Sequence, residues 1–72
     1  MNIYALTEEE LNEFKNRAIA KVIPELDYNY VVDTVNAYTS GCFVHIKEHL
    51  ADGSTPNYSM VYYVSWDEIS LV

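Results

Sequence analysis

Three residues of types that bind metal ions lie close together in the chain. They are Cys42, His45 and His49, with Glu48 beside them. Thiolate and imidazole groups are good ligands for zinc and copper, and this spacing resembles that of metal-binding segments. Only a helix would bring the three side chains together, whereas a strand places Cys42 and His45 on opposite faces. Because residues 42–47 alternate as a strand does, we expect no metal site here.

The sequence offers little other material for catalysis. Cys42 is the only cysteine, and we expect it to face the core with no basic neighbour to lower the pKa of its thiol. The chain has only two glycines and no nucleophile elbow, phosphate-binding loop or dinucleotide fingerprint. A carboxylate pair such as Asp67–Glu68 would need a cleft to act as acid and base. We therefore expect no catalytic residue, no cofactor and no enzymatic activity.

Composition and length limit the kind of protein. With 72 residues there is room for one domain, which we place at residues 1–72. Half of the residues are hydrophobic and 14% are aromatic, which is too much for a disordered chain. A lone cysteine fits a reducing compartment. The first residues lack a signal-peptide pattern, and no stretch approaches the roughly 20 apolar residues of a membrane span. We expect a cytoplasmic protein that does not contact a membrane.

The charge of the chain points to one class of partner. The net charge is −7, and an acidic surface repels phosphates, so we expect no direct binding to nucleic acid. The same surface suits a protein partner with a basic surface. The alternative is that the charge only keeps the protein soluble.

The first predicted element is a helix over residues 7–22. Thr7 and Glu10 have the spacing of a capping box, in which each side chain binds the backbone amide of the other. Apolar residues then recur at helical spacing. Pro24 ends the helix. Glu13 and Arg17 are placed for an ion pair one turn apart.

Residues 30–39 allow two interpretations. As a helix they carry an apolar stripe, and as a strand they are rich in β-forming residues. The turn signal Ser40–Gly41 and the alternation of residues 42–47 favour a strand and a hairpin.

The hairpin predicts a register. With Ser40 and Gly41 as turn residues, the cross-strand pairs on the core face would be Ala37 with Val44, Val35 with Ile46, and Val31 with Leu50. The same register places Asp33 opposite Glu48. Like charges in that position are unfavourable, so we expect fraying or a bulge there.

A loop over residues 51–57 precedes a third predicted strand at residues 58–66. The bulkier face of this strand is assigned to the core and holds Tyr58, Met60, Tyr62, Val64 and Trp66. Residues 67–72 would continue the strand or dock against the core. The predicted fold class is α+β, with an N-terminal helix packed on a three-stranded antiparallel sheet in α-β-β-β order.

The sheet face away from the helix is predicted to hold an aromatic cluster. In the predicted register Tyr38 and Phe43 are cross-strand neighbours, with Tyr63 on the third strand and His45 beside them. Aromatic residues are enriched at the centres of interfaces, so the cluster suggests a docking surface. The alternative is that aromatic pairs only stabilise the ladder of the sheet.

Small size, acidity, high tyrosine content and the lack of a catalytic motif together resemble a class of proteins that phages and mobile elements encode. Such proteins block a host or defence protein, some by imitating the charge of nucleic acid. The resemblance implies a protein-binding module that inhibits by surface occlusion or charge mimicry. It lies in composition and assigns no residues.

We expect electrostatic complementarity to come from the carboxylates outside the helix cap. These are Asp27, Asp33, Glu48, Asp52, Asp67 and Glu68. The aromatic cluster would supply buried contact. The alternative function is structural, with the chain acting as a homodimer or as a subunit of a larger complex whose sheet another chain completes.

Overall fold

The computed structural model describes residues 5–69. Helix α1 spans Glu8–Val22 and is followed by a 3₁₀ turn at Ile23–Glu25. Three strands follow, β1 at Tyr30–Ala37, β2 at Gly41–Glu48 and β3 at Met60–Ser65, and then a short helix α2 at Trp66–Ile69. The strands form one antiparallel sheet in the order β1-β2-β3. The predicted α+β class and its α-β-β-β order are confirmed, with α2 added at the end.

The capping box predicted for α1 is present. The backbone N–H of Glu10 donates to Thr7 Oγ1 at 3.1 Å, and the N–H of Thr7 donates to Glu10 Oε1 at 3.1 Å. The predicted ion pair also forms, with 3.2 Å between Arg17 Nε and Glu13 Oε1. The helix begins and ends where local sequence signals place it, because caps and Pro24 act over one turn of chain.

The helical interpretation of residues 30–39 is wrong, and so is the predicted register of the hairpin. Val35 lies opposite Val44 and Ala37 opposite Cys42. The turn residues are Thr39 and Ser40, and the N–H of Tyr38 donates to the carbonyl of Gly41 at 2.8 Å. Between the turn and the bulge the error is two residues on one strand, which leaves the side chains of this part of the hairpin on their predicted faces.

Gly41 explains the error, because this glycine serves the sheet and not the turn. It lies opposite Ser65, where a Cβ atom would come within 2.3 Å of the carbonyl oxygen of Val64. Contacts shorter than about 3 Å are repulsive for carbon and oxygen, so only glycine lets β3 approach β2 here.

A bulge interrupts β1 at Asp33, as predicted, but for a different reason. The pairing shifts between Val32 and Thr34, so Asp33 is the extra residue. Glu48 lies opposite Tyr30 and not opposite Asp33, so the predicted repulsion is wrong. The bulge also changes which valine faces the core. Val32 packs against it, whereas Val31 lies opposite Lys47 and is 43% exposed, so the predicted pair of Val31 with Leu50 is wrong.

The core lies between α1, α2 and one face of the sheet. Its buried residues are Ala18, Val22, Cys42, Val44, Ile46, Val64, Trp66 and Ile69. Phe14 of α1 meets Trp66 edge to face, with 5.6 Å between the ring centres. Such pairs stabilise beyond the burial of their area. The core therefore joins the start of α2 to the apolar stripe of α1.

The third strand is shorter than predicted. Tyr62, Val64 and Trp66 face the core side as assigned, but Tyr58 is 68% exposed and Met60 is 50% exposed, so their predicted burial is wrong. The buried cluster ends at Ile46, the residue opposite Met60, so the first residues of the predicted strand lie beyond it. The predicted strand continuation is replaced by α2, with Ile69 docked in the core. The remaining tail residues, 70–72, and the first four residues of the predicted domain lie outside the described residues.

Candidate protein-binding surface

One face of the sheet has no helix over it among residues 5–69. We call it the open face. Its side chains alternate with those of the core. Its exposed apolar members are Val31, Tyr38, Val61 and Tyr63, at 43%, 50%, 53% and 49% exposure. Large apolar side chains gathered on a sheet face at this exposure are typical of interaction surfaces.

The three predicted aromatic side chains are in contact on the open face. Phe43 lies directly opposite Tyr63, with 5.2 Å between ring centres. Tyr38 meets Phe43 edge to face at 5.4 Å. The predicted neighbour relation of Tyr38 and Phe43 is a diagonal contact, because Asn36 is the residue opposite Phe43. Diagonal neighbours on a sheet remain within reach of aromatic rings.

Two hydrogen bonds hold this aromatic cluster in place. The hydroxyl of Tyr63 donates to the carbonyl of Ser40 at 2.9 Å. From the core side, the indole N–H of Trp66 donates to the carbonyl of Tyr38 at 2.7 Å. The two accepting carbonyls lie in and beside the β1–β2 turn. The backbone of the turn and the aromatic rings therefore hold one another in place without a partner. A preorganised surface loses less conformational entropy on binding.

His45 lies next to the cluster, as predicted. It is half-buried between Thr34 of β1 and Val61 of β3 in the register of the sheet. Its Nε2 is 3.4 Å from Nδ2 of Asn36. The imidazole thus adds a polar group to the middle of the open face.

Carboxylates border the open face at two ends. Asp33, in the bulge, accepts a hydrogen bond from the hydroxyl of Ser59 at 2.9 Å. At the aromatic end, Glu68 Oε2 accepts from the backbone N–H of Ser65 at 2.9 Å and from its hydroxyl at 3.2 Å. Ser65 shares the face of Tyr63, since the two are two residues apart on one strand. The aromatic cluster therefore lies in a surface with a carboxylate at each end, and Lys47 of β2 is a basic residue on the same face.

The nine residues predicted to bind a partner separate into two groups. Six of them form or border the open face, namely Tyr38, Phe43, His45, Tyr63, Asp33 and Glu68. The other three lie apart. Glu48 lines a groove described below, Asp67 is exposed in the first turn of α2, and Asp52 lies in the loop before β3.

Asp52 has a local structural role. Its Oδ1 accepts from the backbone N–H of Ser54 at 2.9 Å and from the Ser54 hydroxyl at 2.6 Å. These bonds lower the pKa of the Asp52 carboxyl. An aspartate that binds the backbone two residues ahead stabilises a turn, so Asp52 shapes this loop.

Sequence reasoning missed a second region, on the helix-covered side of the sheet. Here a groove of about 170 Å³ is lined by Tyr28, Ile46, Glu48, Tyr58 and Met60. We call it the tyrosine groove. The exposed Tyr58 and Met60 lie just beyond the end of the core. The polar loop over residues 51–57, which runs directly into the predicted strand, was the sequence signal that could have indicated their exposure.

A pair of hydroxyls lies beside the tyrosine groove. The hydroxyl oxygens of Tyr28 and Tyr62 are 3.1 Å apart. This hydrogen bond, with burial and the nearby Asp27 and Glu48 carboxylates, raises the pKa of Tyr28 to about 12. Negative charge near a phenol disfavours the phenolate, so both carboxylates lie close enough to act on Tyr28.

The three candidate metal ligands are not brought together. Cys42 is fully buried on the core face, and burial raises the pKa of its thiol. His45 points from the opposite face and His49 follows the end of β2. Within residues 5–69 no three His, Cys, Asp or Glu side chains are grouped to hold a metal ion.

Comparison with protein-family models, with curated protein sequences and with solved structures returned no match. In the described part of the chain, no helix is both long enough and apolar enough to cross a bilayer. Function is therefore inferred from the residues and their geometry.

Proposed function

We propose that this protein is a small protein-binding module that docks through its open face onto a basic surface of a partner protein. The observation that best supports the proposal is the cluster of Tyr38, Phe43 and Tyr63. These rings contact one another at 5.2 and 5.4 Å, yet both tyrosines remain about half exposed on an ordered sheet face. Rigid aromatic side chains are the residues that most often dominate binding energy at interfaces.

The charge of the molecule supports the choice of a basic partner. Asp33 and Glu68 border the open face, and the whole chain carries a net charge of −7. Opposite charges at the margins of an interface speed association and orient the partners. An aromatic centre with acidic margins suits a module that covers part of a partner's surface and excludes its other ligands.

The mode of action we propose is occlusion of a host or defence protein, as in the phage and mobile-element inhibitors that the composition resembles. Aromatic rings hold the centre of the open face, and the carboxylates lie at its ends. Occlusion by contact fits this arrangement better than imitation of a row of phosphates. The module is proposed to act without catalysis.

Capture of a partner by the immobilised protein tests the proposal when it is combined with matched variants. Phe43→Ala should reduce the captured amount at least about tenfold, since truncating a central aromatic anchor costs roughly 2 kcal/mol or more. Asp33→Asn with Glu68→Gln should slow association and flatten the salt dependence. Surface plasmon resonance at several salt concentrations measures both effects.

The matched control is Ile23→Ala, the truncation of an exposed apolar side chain in the 3₁₀ turn after α1. It should leave capture unchanged. Equal losses with Phe43→Ala and Ile23→Ala, in variants shown to be folded by circular dichroism, would reject the open face as the docking surface. Binding that ignores salt would reject the basic partner.

A second function, the structural homodimer or subunit, is favoured by one observation. In the described residues β1 and β3 are both edge strands, and edge strands can pair with another chain. Mutual repulsion argues against the homodimer, because each copy carries a net charge of −7. Sedimentation at micromolar concentration tests the homodimer, because a stable monomer at that concentration excludes an obligate dimer.

A further inference from the structure

We propose that the tyrosine groove is a binding site for one arginine side chain of the partner protein. This inference rests on the proposed function and names the residue type that the partner must present. The groove lies on the other side of the sheet from the aromatic cluster, near the end of β2. The partner would therefore reach around the end of the sheet.

The size and lining of the groove suit a single long side chain. Its floor is Ile46, which is fully buried, and its walls include the exposed Tyr58 and Met60. The volume of about 170 Å³ is below the roughly 300–1,000 Å³ of pockets that hold cofactors and drug-sized ligands. Apolar walls with one polar end match the aliphatic stem and charged head of a basic residue.

The charge of the groove selects a cation. Glu48 is the one ionised residue among its five lining residues, and none of the five is basic. Asp27 also lies close enough to act electrostatically on Tyr28. A cation in the groove would meet the Glu48 carboxylate and the hydroxyl oxygen of Tyr28, which lies 3.1 Å from that of Tyr62.

Arginine fits this environment better than lysine does. Its planar guanidinium stacks on aromatic faces and pairs with a carboxylate through two parallel hydrogen bonds. Tyr28 and Tyr58 supply aromatic faces, and Glu48 supplies the carboxylate. Lysine would form the ion pair without the planar stacking.

A second copy of this chain is a poor source of the arginine. The sequence has one arginine, Arg17. Its guanidinium bonds to Glu13 at 3.2 Å, lies 5.2 Å from the ring centre of Phe14, and reaches the carbonyl of Ile69 at 3.4 Å. Self-association through the groove would break all three contacts, so we assign the arginine to a different protein.

Titration with short capped peptides tests the site directly. The probes are N-acetyl-Gly-Arg-Gly-amide and two matched peptides with citrulline or lysine in place of arginine. In two-dimensional NMR, the arginine peptide should shift the signals of Tyr58, Met60 and Glu48 with millimolar affinity, as expected for one side chain. Citrulline should not bind, and lysine should bind several-fold more weakly.

Two glutamate variants separate the groove from the general charge of the protein. Glu48→Gln should weaken the arginine peptide about tenfold, the loss expected for a charge-assisted pair. Glu8→Gln removes the same charge from the first turn of α1 and should change nothing. Equal losses in both variants, shifts spread over the whole surface, or equal binding of lysine would overturn the proposal.

The outcome is independent of the docking role of the open face. Phe43→Ala should still bind the arginine peptide, because Phe43 lies on the other side of the sheet. If the peptide fails to bind while partner capture depends on Phe43, the groove proposal alone fails. If the peptide binds but Phe43→Ala captures the partner normally, the open-face proposal alone fails.

Discussion

The two faces of the sheet are built from alternate residues of the same strands, yet they differ in burial and in polarity. On β2, Cys42, Val44 and Ile46 are fully buried. Between them, Phe43 and His45 face the other way and remain partly exposed. The open face is also more polar, because its aromatic residues and valines are interspersed with Thr34, Asn36, His45 and Lys47.

The faces differ both in helical cover and in the polarity of their strand residues. Phe14, Ala18 and Val22 of α1 supply an apolar stripe that fits one face. α2 closes the end of the same face with Trp66 and Ile69. Within residues 5–69 the helices cover this face alone, and the aromatic cluster of the open face remains uncovered. We propose that this cluster contacts another protein.

Thiol chemistry should show the largest difference between the faces. Cys42 should react with Ellman's reagent at least about 100-fold more slowly than a cysteine at position 61 on the open face, since reaction requires a local opening that costs roughly 3 kcal/mol. The buried thiol also has a raised pKa, which lowers the fraction of reactive thiolate. The comparison uses the native chain and a Val61→Cys, Cys42→Ala variant at pH 8. Similar rates would mean that the covered face opens readily.

The same substitution should lower the free energy of unfolding by different amounts on the two faces. Val44→Ala should cost about 2 to 3 kcal/mol of unfolding free energy, since it removes two buried methyl groups and leaves a cavity. Val61→Ala should cost less than about 1 kcal/mol, because the side chain is half exposed. Urea denaturation followed by circular dichroism measures both. Equal costs would imply that something in the isolated chain already covers the open face.

Loss of the hydrogen bond from Trp66 to the carbonyl of Tyr38, which links the two faces, should have an intermediate effect on the free energy of unfolding. Trp66→Phe keeps an aromatic ring in the core but removes the N–H that holds the carbonyl of Tyr38. We expect a loss of about 1 to 2 kcal/mol, because a partly buried carbonyl loses its partner. Tyr63→Phe removes the exposed bond to Ser40 and should cost about 0.5 kcal/mol. A smaller loss for Trp66→Phe than for Tyr63→Phe would contradict this order.

The smallest expected difference is one of stability at alkaline pH. It arises from the Tyr28–Tyr62 hydroxyl pair on the covered side of the sheet. The pKa of Tyr28 is about 12 in the folded protein, above the roughly 10 of an unfolded chain. Its contribution to stability is therefore complete below pH 10 and is lost as the pH rises towards 12. The loss of unfolding free energy over this interval should be smaller in Tyr28→Phe. An unchanged loss in that variant would show that the hydroxyl pair does not stabilise the fold.

Local sequence signals predicted α1, the three strands and the faces of β2 and β3, but not α2 or the face of Val31. Thr7, Glu10 and Pro24 delimit α1 through contacts within one or two turns of chain. The period-2 pattern of β2 assigned Cys42 to the core and Phe43 to the open face. It also predicted the contact of Phe43 with Tyr38. These predictions hold because faces depend only on alternation, which a register error of two residues leaves unchanged.

Only the tertiary structure decided the register, the exchange of Val31 and Val32 between the faces, and the tyrosine groove. Gly41 lies in β2 because β3 approaches it closely, and the approaching residues, Val64 and Ser65, are more than twenty residues away in the chain. Tyr58 and Met60 are exposed because the core ends at Ile46. Each outcome depends on the distance between segments remote in sequence, which composition and periodicity do not contain.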